Sequence, residues 1–251
     1  MHTQEQESAT DDSTTENITL PAYDYKIVWV IRPNKGTNTD NTMEKMNKKA
    51  IILDLDNTIY PVASISDKLF DELYQLIEQD GSYSGNMEDI KKAIQRTPFQ
   101  LVAKEFQFSA ALTEKALELL MALEYNDIIK PFDDYLLTKQ IDCLKFLVTT
   151  GFKKLQESKI RQLNVFNDFD ACYIVDPSVS TLTKKDIFKK IMEQYQLEPE
   201  EILVVGDDIH SEIKAGKELG IDTVVYDYNG THTQLSGYTI ITDYKELKKF
   251  I

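Results

Sequence analysis

The segment Ala50-Ile51-Ile52-Leu53-Asp54-Leu55-Asp56-Asn57-Thr58 ends a short apolar run in two carboxylates two positions apart. A run this short and β-branched, bounded by polar residues, predicts a buried strand. Uninterrupted apolar strands belong to parallel sheets covered on both faces. In open α/β sheets, ligands bind beyond the carboxyl ends of the strands, which puts Asp54 and Asp56 where chemistry takes place. Two carboxylates this close repel each other and need a counter-charge, most simply a hard divalent cation with oxygen ligands. Three further segments carry polar groups in comparable positions: Leu147-Val148-Thr149-Thr150-Gly151, Thr183-Lys184-Lys185-Asp186, and Val204-Val205-Gly206-Asp207-Asp208 followed by Glu212. Taken singly, Thr149 reads as an ordinary turn or cap residue, and the first aspartates as a strand end and helix cap. His210, between Asp208 and Glu212, reads as a solvent-facing helix residue rather than a metal ligand.

The elements that must position these residues follow from the pattern after Lys48. Ser66 to Gln79 has apolar residues at helical spacing (Leu69, Leu73, Leu76, Ile77), and Met87 to Ile94, Pro98 to Glu105 and Thr113 to Leu123 continue in helical style, with Ser109 as a start signal. A short helix is expected near 133–141, then a second buried strand from Leu144 to Val148. Helix 153–163, strand 171–175, helix 184–196, strand 202–205, helix 211–219 and strand 222–226 follow, with Gly220 at a helix C-cap position. A strand near 238–241 and a helix at 244–250 close the chain. This alternation predicts an α/β fold, a doubly wound parallel sheet interrupted after its first strand by an all-helical insertion. No internal repeat is visible.

At 251 residues the chain suffices for one large domain or a core plus an insertion, with a sizeable core. A net charge of −14 argues against nucleic acid or an anionic membrane as partner, and as a bland reading supplies solubility. Cys143 and Cys172 stand in no metal-ligand spacing, which predicts a reduced, cytoplasmic protein. No apolar run approaches the roughly 20 residues of a membrane span, and Ile27-Val28-Trp29-Val30-Ile31 is too short for a signal-peptide core. Residues 1–22 have a disordered composition, Lys26 to Arg32 suits a strand, and Pro33 to Asn47 is polar again. With Met43 and Met46 as alternative starts, residues 1–45 are expected to be a dispensable arm or an upstream mis-start, the competing view being a docking tail; the folded part begins after residue 47. Composition does not set the oligomeric state.

All four polar segments, in this order on an α/β pattern over roughly residues 48–251, resemble the haloacid dehalogenase-like (HAD) superfamily of phosphatases. The stretch from Asp54 to Tyr60-Pro61 is most similar to the branch that includes pyrimidine 5′-nucleotidases. The resemblance implies a Rossmann-like core of residues 48–63 and 131–251 and a helical cap of residues 64–130. The roughly 35 residues from Thr149 to Lys184 are too few for the large α/β cap of other relatives. It further implies Mg²⁺-dependent hydrolysis of a small phosphorylated metabolite, a nucleoside monophosphate among the candidates, through an aspartyl-phosphate. Asp54 would be the nucleophile and Asp56 the general acid–base, a role that predicts a raised pKa for Asp56. Mg²⁺ would be held by the Asp54 carboxylate, the Asp56 main-chain carbonyl and the Asp207 carboxylate. Thr149, Thr150 and Lys184 would bind phosphate, with Lys185 the other candidate lysine. Thr58, Asp208 and Glu212 would support the site, Glu212 standing where many relatives carry Asp. Tyr74, Tyr83, Phe99, Phe106 and Phe108 in the insertion offer rings to a base, although aromatics at helical spacing are more often core. The alternatives are a sugar-phosphate mutase on the same fold and a non-catalytic binding module, the latter disfavoured by the intact Asp54–Asp56 pair. A dehalogenase is disfavoured because that branch lacks an acid–base at the position of Asp56.

Overall fold

The structure, a computed structural model, describes residues 48–230 and 236–251. Residues 1–47, for which an arm and a strand from Lys26 to Arg32 are expected, lie outside the described residues. The apolar runs form the strands β1 (Ala50–Leu53), β2 (Leu144–Thr150), β3 (Ala171–Val175), β4 (Ile202–Gly206), β5 (Asp222–Tyr226) and β6 (Ile240–Ile241). They make one sheet in the order β3-β2-β1-β4-β5-β6, every pair parallel. The central strands read as continuous apolar runs because both of their faces are covered. Ile51, Leu53, Leu147, Leu203 and Val205 point into one core, and Ala50, Ile52, Phe146, Val148 and Val204 into the other. The period-two alternation of a strand thus feeds two separate cores.

After β1 the chain runs through α1 (Ser66–Leu69), α2 (Asp71–Asp80), α3 (Met87–Ile94), α4 (Phe99–Glu105) and α5 (Ala110–Ala122), so the insertion is all-helical. The first expected helix is split at Phe70, which leaves helical geometry (φ −103°, ψ 12°). Gly81 ends α2 in the left-handed conformation (φ 65°) that glycine adopts without a Cβ penalty. The Asn86 side chain accepts from the Asp89 N–H (2.9 Å), and the Ser109 hydroxyl accepts from the Leu112 N–H (3.0 Å), so the last helix begins at Ala110 rather than Thr113. Leu73 and Ile77 of α2 meet Leu112, Ala116 and Leu120 of α5 in the core that also receives Ile51 and Leu53.

The return half carries α6 (Lys153–Leu163) between β2 and β3, α7 (Lys184–Tyr195) between β3 and β4, and α8 (Glu212–Glu218) between β4 and β5. The elements expected at 133–141 and 244–250 are 3₁₀ turns, Tyr135–Gln140 and Tyr244–Lys249. From β1 the sheet grows outward through β2 and β3 on one side and through β4, β5 and β6 on the other. The order reverses between β1 and β4, the place where open α/β sheets leave a crevice at the carboxyl ends of their strands.

Candidate active site

Asp54 and Asp207 leave the sheet on the two sides of this crevice, directly after β1 and β4. The Asp54 N–H still donates to the Val205 carbonyl (3.1 Å), so the ladder fixes where its side chain starts. Beyond it the chain wraps tightly, with the Leu55 carbonyl accepting from the N–H groups of Thr58 (3.4 Å) and Ile59 (2.9 Å). Asn57 takes the left-handed conformation the turn needs (φ 54°), and its Oδ1 accepts from the Val62 N–H (3.1 Å). The turn sets Asp56 beside Tyr60. Thr58 is fully buried; its carbonyl accepts from the Tyr244 hydroxyl (2.6 Å), and its Oγ1 has no partner among the described residues.

Lys184 is the first residue of α7, where a cation faces the positive end of the helix dipole. Two carboxylates offset that. Its Nζ lies 2.6 Å from Asp54 Oδ1 and 2.7 Å from Glu212 Oε2, and all three residues are buried. The helix start is fixed by Asp186, whose carboxylate accepts from the Thr183 N–H (2.9 Å). Lys185 points away to Glu218 at the surface (2.7 Å). Glu212 spends its other oxygen on the Asp208 N–H (2.8 Å), so it is a buried anchor and not exposed helix surface. Gly206 makes this possible, because a Cβ there would overlap the Glu212 carboxylate. Asp208 Oδ1 accepts from the His210 N–H (2.7 Å), and His210 is exposed.

Asp54, Asp207 and Glu212 each present an oxygen within 4.8 Å of the others. Burial pushes the Asp54 carboxyl up to about 7, with Lys184 opposing and Glu212 and Asp56 adding to the rise. Burial, then Asp54 and Glu212, push Asp207 up to about 8. One lysine does not neutralise three carboxylates, two of them buried and that of Asp207 partly buried. The cluster has the donor set and the excess negative charge that suit a hard divalent cation.

Asp56 is built the opposite way. Burial alone would raise its pKa. Lys159 Nζ, at 2.9 and 3.1 Å from its two oxygens, outweighs this, aided by the Tyr60 hydroxyl and by Gln156 Nε2 at 3.0 Å. The carboxyl is held below the usual range, which corrects the expectation of a raised pKa: an acid–base pair was foreseen, but not a buried lysine behind it. Gln156 Nε2 also donates to Thr149 Oγ1 (2.6 Å) and the Thr150 carbonyl (3.3 Å), joining Asp56 to the loop after β2. Thr149 is buried and the Thr150 side chain exposed. The residues missed in the sequence are therefore Gln156, Lys159 and Tyr60. A signal existed: Gln156 and Lys159 share a helix face with Ile160 and Leu163, and polar residues on the apolar face of a helix need partners.

A family described as haloacid dehalogenase-like hydrolases matches residues 48–220. Glyceraldehyde 3-phosphate phosphatase of Pyrococcus furiosus is 30% identical over 105 residues, 42% of this chain and 41% of the relative. The HAD-hydrolase YfnB of Bacillus subtilis is 25% identical over 130 residues, 51% of this chain and 55% of the relative. The chain thus spans about half the length of the curated relatives it matches. Among solved structures, a haloacid dehalogenase-like family protein from Streptococcus pneumoniae superposes with a TM-score of 0.61 at 16% identity, covering 81% of this chain and 98% of that one. Magnesium-bound YfnB superposes with a TM-score of 0.53 at 18% identity and the same coverage. These superpositions speak for the shared fold. Among the described residues no helix is long and apolar enough to cross a membrane.

Proposed function

The chain belongs to the haloacid dehalogenase-like hydrolase family, and from that premise we propose that it is a Mg²⁺-dependent phosphatase hydrolysing a small phosphorylated metabolite through an aspartyl-phosphate on Asp54. The observation that carries this reading is the pair of aspartates in opposite environments. Asp54 lies in an over-negative cluster with Asp207 and Glu212, and Asp56 lies apart on Lys159.

Asp54 attacks the phosphorus, the bond to the leaving oxygen breaks, and Asp56 gives that oxygen its proton. Asp56 is ionised in the free protein; the approaching phosphate, a like charge, raises its pKa, so that it takes up a proton from solvent or from a monoanionic substrate before passing it to the leaving oxygen. Asp56 then takes a proton from water as the water attacks the phosphorus and the bond to Asp54 breaks. Thr149 receives a hydrogen bond from Gln156, which leaves its own hydroxyl proton for a phosphate oxygen. Lys184 holds Asp54 in place and adds positive charge beside the phosphate, while Thr150 borders the phosphate loop. Mg²⁺ would be held by the Asp54 and Asp207 carboxylates and the Asp56 main-chain carbonyl, and when bound supplies the charge that neutralises the phosphoryl oxygens. Glu212, both of whose oxygens are engaged by the protein, orients Lys184 and the Asp207–Asp208 loop; Thr58 braces the turn after Asp56.

Residues 64–130 act as a cap on a core of residues 48–63 and 131–251, hinged at Tyr60-Pro61, excluding water and admitting small substrates. The Pyrococcus relative's name makes phosphorylated trioses natural candidates. A nucleoside monophosphate has weaker support. Tyr74, Phe99 and Phe106 are buried, and Phe108 packs against Phe99 and Tyr83 at centroid distances of 5.9 and 6.4 Å.

The test is phosphate release from p-nitrophenyl phosphate, glyceraldehyde 3-phosphate, hexose phosphates and nucleoside monophosphates, with Mg²⁺ or chelator, beside Asp54→Asn. Release that needs both metal and Asp54 is expected. No release by folded protein with Mg²⁺ contradicts the proposal, and return of phosphate to a different sugar hydroxyl identifies a mutase.

A further inference from the structure

Lys159 is a buried lysine (4% exposed) on α6, and the carboxylate it pairs with is Asp56. A lysine taken out of water is costly unless a close counter-charge and hydrogen bonds compensate it, so its place in the core is tied to that one side chain. The pair is asymmetric: the Lys159 side chain is 5% exposed and that of Asp56 26%. Asp56 therefore presents an open edge to the crevice, and Lys159 supports it from behind without facing the crevice itself. Gln156, three residues earlier on the same face and 1% exposed, donates to the Asp56 oxygen and to Thr149. The Tyr60 hydroxyl adds a third donor from the hinge turn. Three donors from two elements leave the Asp56 carboxylate little freedom to rotate.

We propose that Lys159 and Gln156 are positioning residues that fix the Asp56 carboxylate in line with the leaving oxygen and lock it to the phosphate loop through Thr149. This rests on the phosphatase reading above. Neither residue touches the reacting atoms. Their effect passes through the proton that Asp56 delivers, so its size depends on how much the leaving group needs that proton.

The experiment compares two esters of similar shape, phenyl phosphate and p-nitrophenyl phosphate, in the Mg²⁺-loaded full chain. Nitrophenolate leaves readily without a proton, whereas phenolate needs one. A general acid is worth about 10²–10⁴-fold. In kcat/KM, which reports the steps up to departure of the leaving group and not the later hydrolysis of phospho-Asp54 common to both esters, Lys159→Met is expected to cost about 100-fold on phenyl phosphate and less than about 10-fold on p-nitrophenyl phosphate, with Lys159→Arg partly restoring the difference and Asp56→Asn reproducing it. Lys159→Met in the Asp56→Asn background should add little, because the two act as a unit. Should Lys159→Met fail to fold, Gln156→Met is read against the same ratio. Equal losses on both esters, or none, overturn the positioning role while leaving the phosphatase reading intact. Absence of wild-type turnover on both esters and on every member of the substrate panel overturns the two together.

Discussion

Asp54 and Asp207 face one another across the seam between β1 and β4 with carboxyls raised to about 7 and about 8, chiefly by burial. A carboxyl with a raised folded pKa binds more protons folded than unfolded, so stability falls as pH rises from near 4, the unfolded value, toward 8. Asp56, whose pKa is lowered, has the opposite sign: its contribution is present above pH 4 and lost in stronger acid. The metal-free protein should therefore show a Tm that declines from pH 5 to pH 8, and Asp207→Asn should flatten the decline in thermal unfolding with chelator present. Mg²⁺ should bind more tightly as pH rises from about 6 to 8, releasing protons, because its ligands must ionise; calorimetry in buffers of different ionisation enthalpy reads this directly. The two candidate lysines are separated by the same reasoning. Removing one member of a buried charge cluster costs about 3–5 kcal/mol, so Lys184→Met should lower denaturation stability by about that much. Lys185→Met removes a half-exposed pair with Glu218 and should cost at most about 1 kcal/mol. The sequence allowed both lysines because adjacent positions at a helix start differ by only a third of a turn.

α8 begins where β4 ends, and their junction has no room for a side chain at Gly206, against which Glu212 lies. Gly206→Ala is expected to displace Glu212 from Lys184 and from the Asp208 N–H, cutting turnover at least about 10-fold; unchanged kinetics would remove Glu212 from the account. Gly216→Ala, whose Cβ would come within 2.6 Å of the Thr223 methyl, packs α8 against β5 too tightly and should cost about 1–3 kcal/mol without changing the site. Elements of this kind were legible where one physical signal dominated. The strands stood out as short apolar runs because both faces of the sheet are covered, and helices with clear caps began at Ser109 and Thr183. The expected strand near 238–241 shrank to Ile240–Ile241, which among the described residues is the edge strand of the sheet and has a weak apolar pattern. Gln156 and Lys159 escaped notice because spacing in the sequence says which residues share a face of α6, not what that face meets 100 residues away.

Over the whole molecule, the chemistry depends on contacts that the chain makes at long range. Asp54 meets Lys184 130 positions later, and Asp56 meets Lys159 103 positions later. Parallel order β3-β2-β1-β4-β5-β6 brings these segments to one end of the sheet, and the order of the motifs along the chain foretold that convergence. What the pattern did not foretell was charge balance, since the number of buried carboxylates per buried lysine depends on packing. The central claim is that Asp54 carries the phosphoryl group, and the direct measurement is rapid acid quenching of the Mg²⁺-loaded protein during turnover of p-nitrophenyl phosphate, followed by mass spectrometry of its peptides. The account predicts the added mass of one phosphoryl group on the peptide containing Asp54, absent from Asp54→Asn. Steady turnover with no phosphorylated peptide, or with the group on another residue, would contradict it.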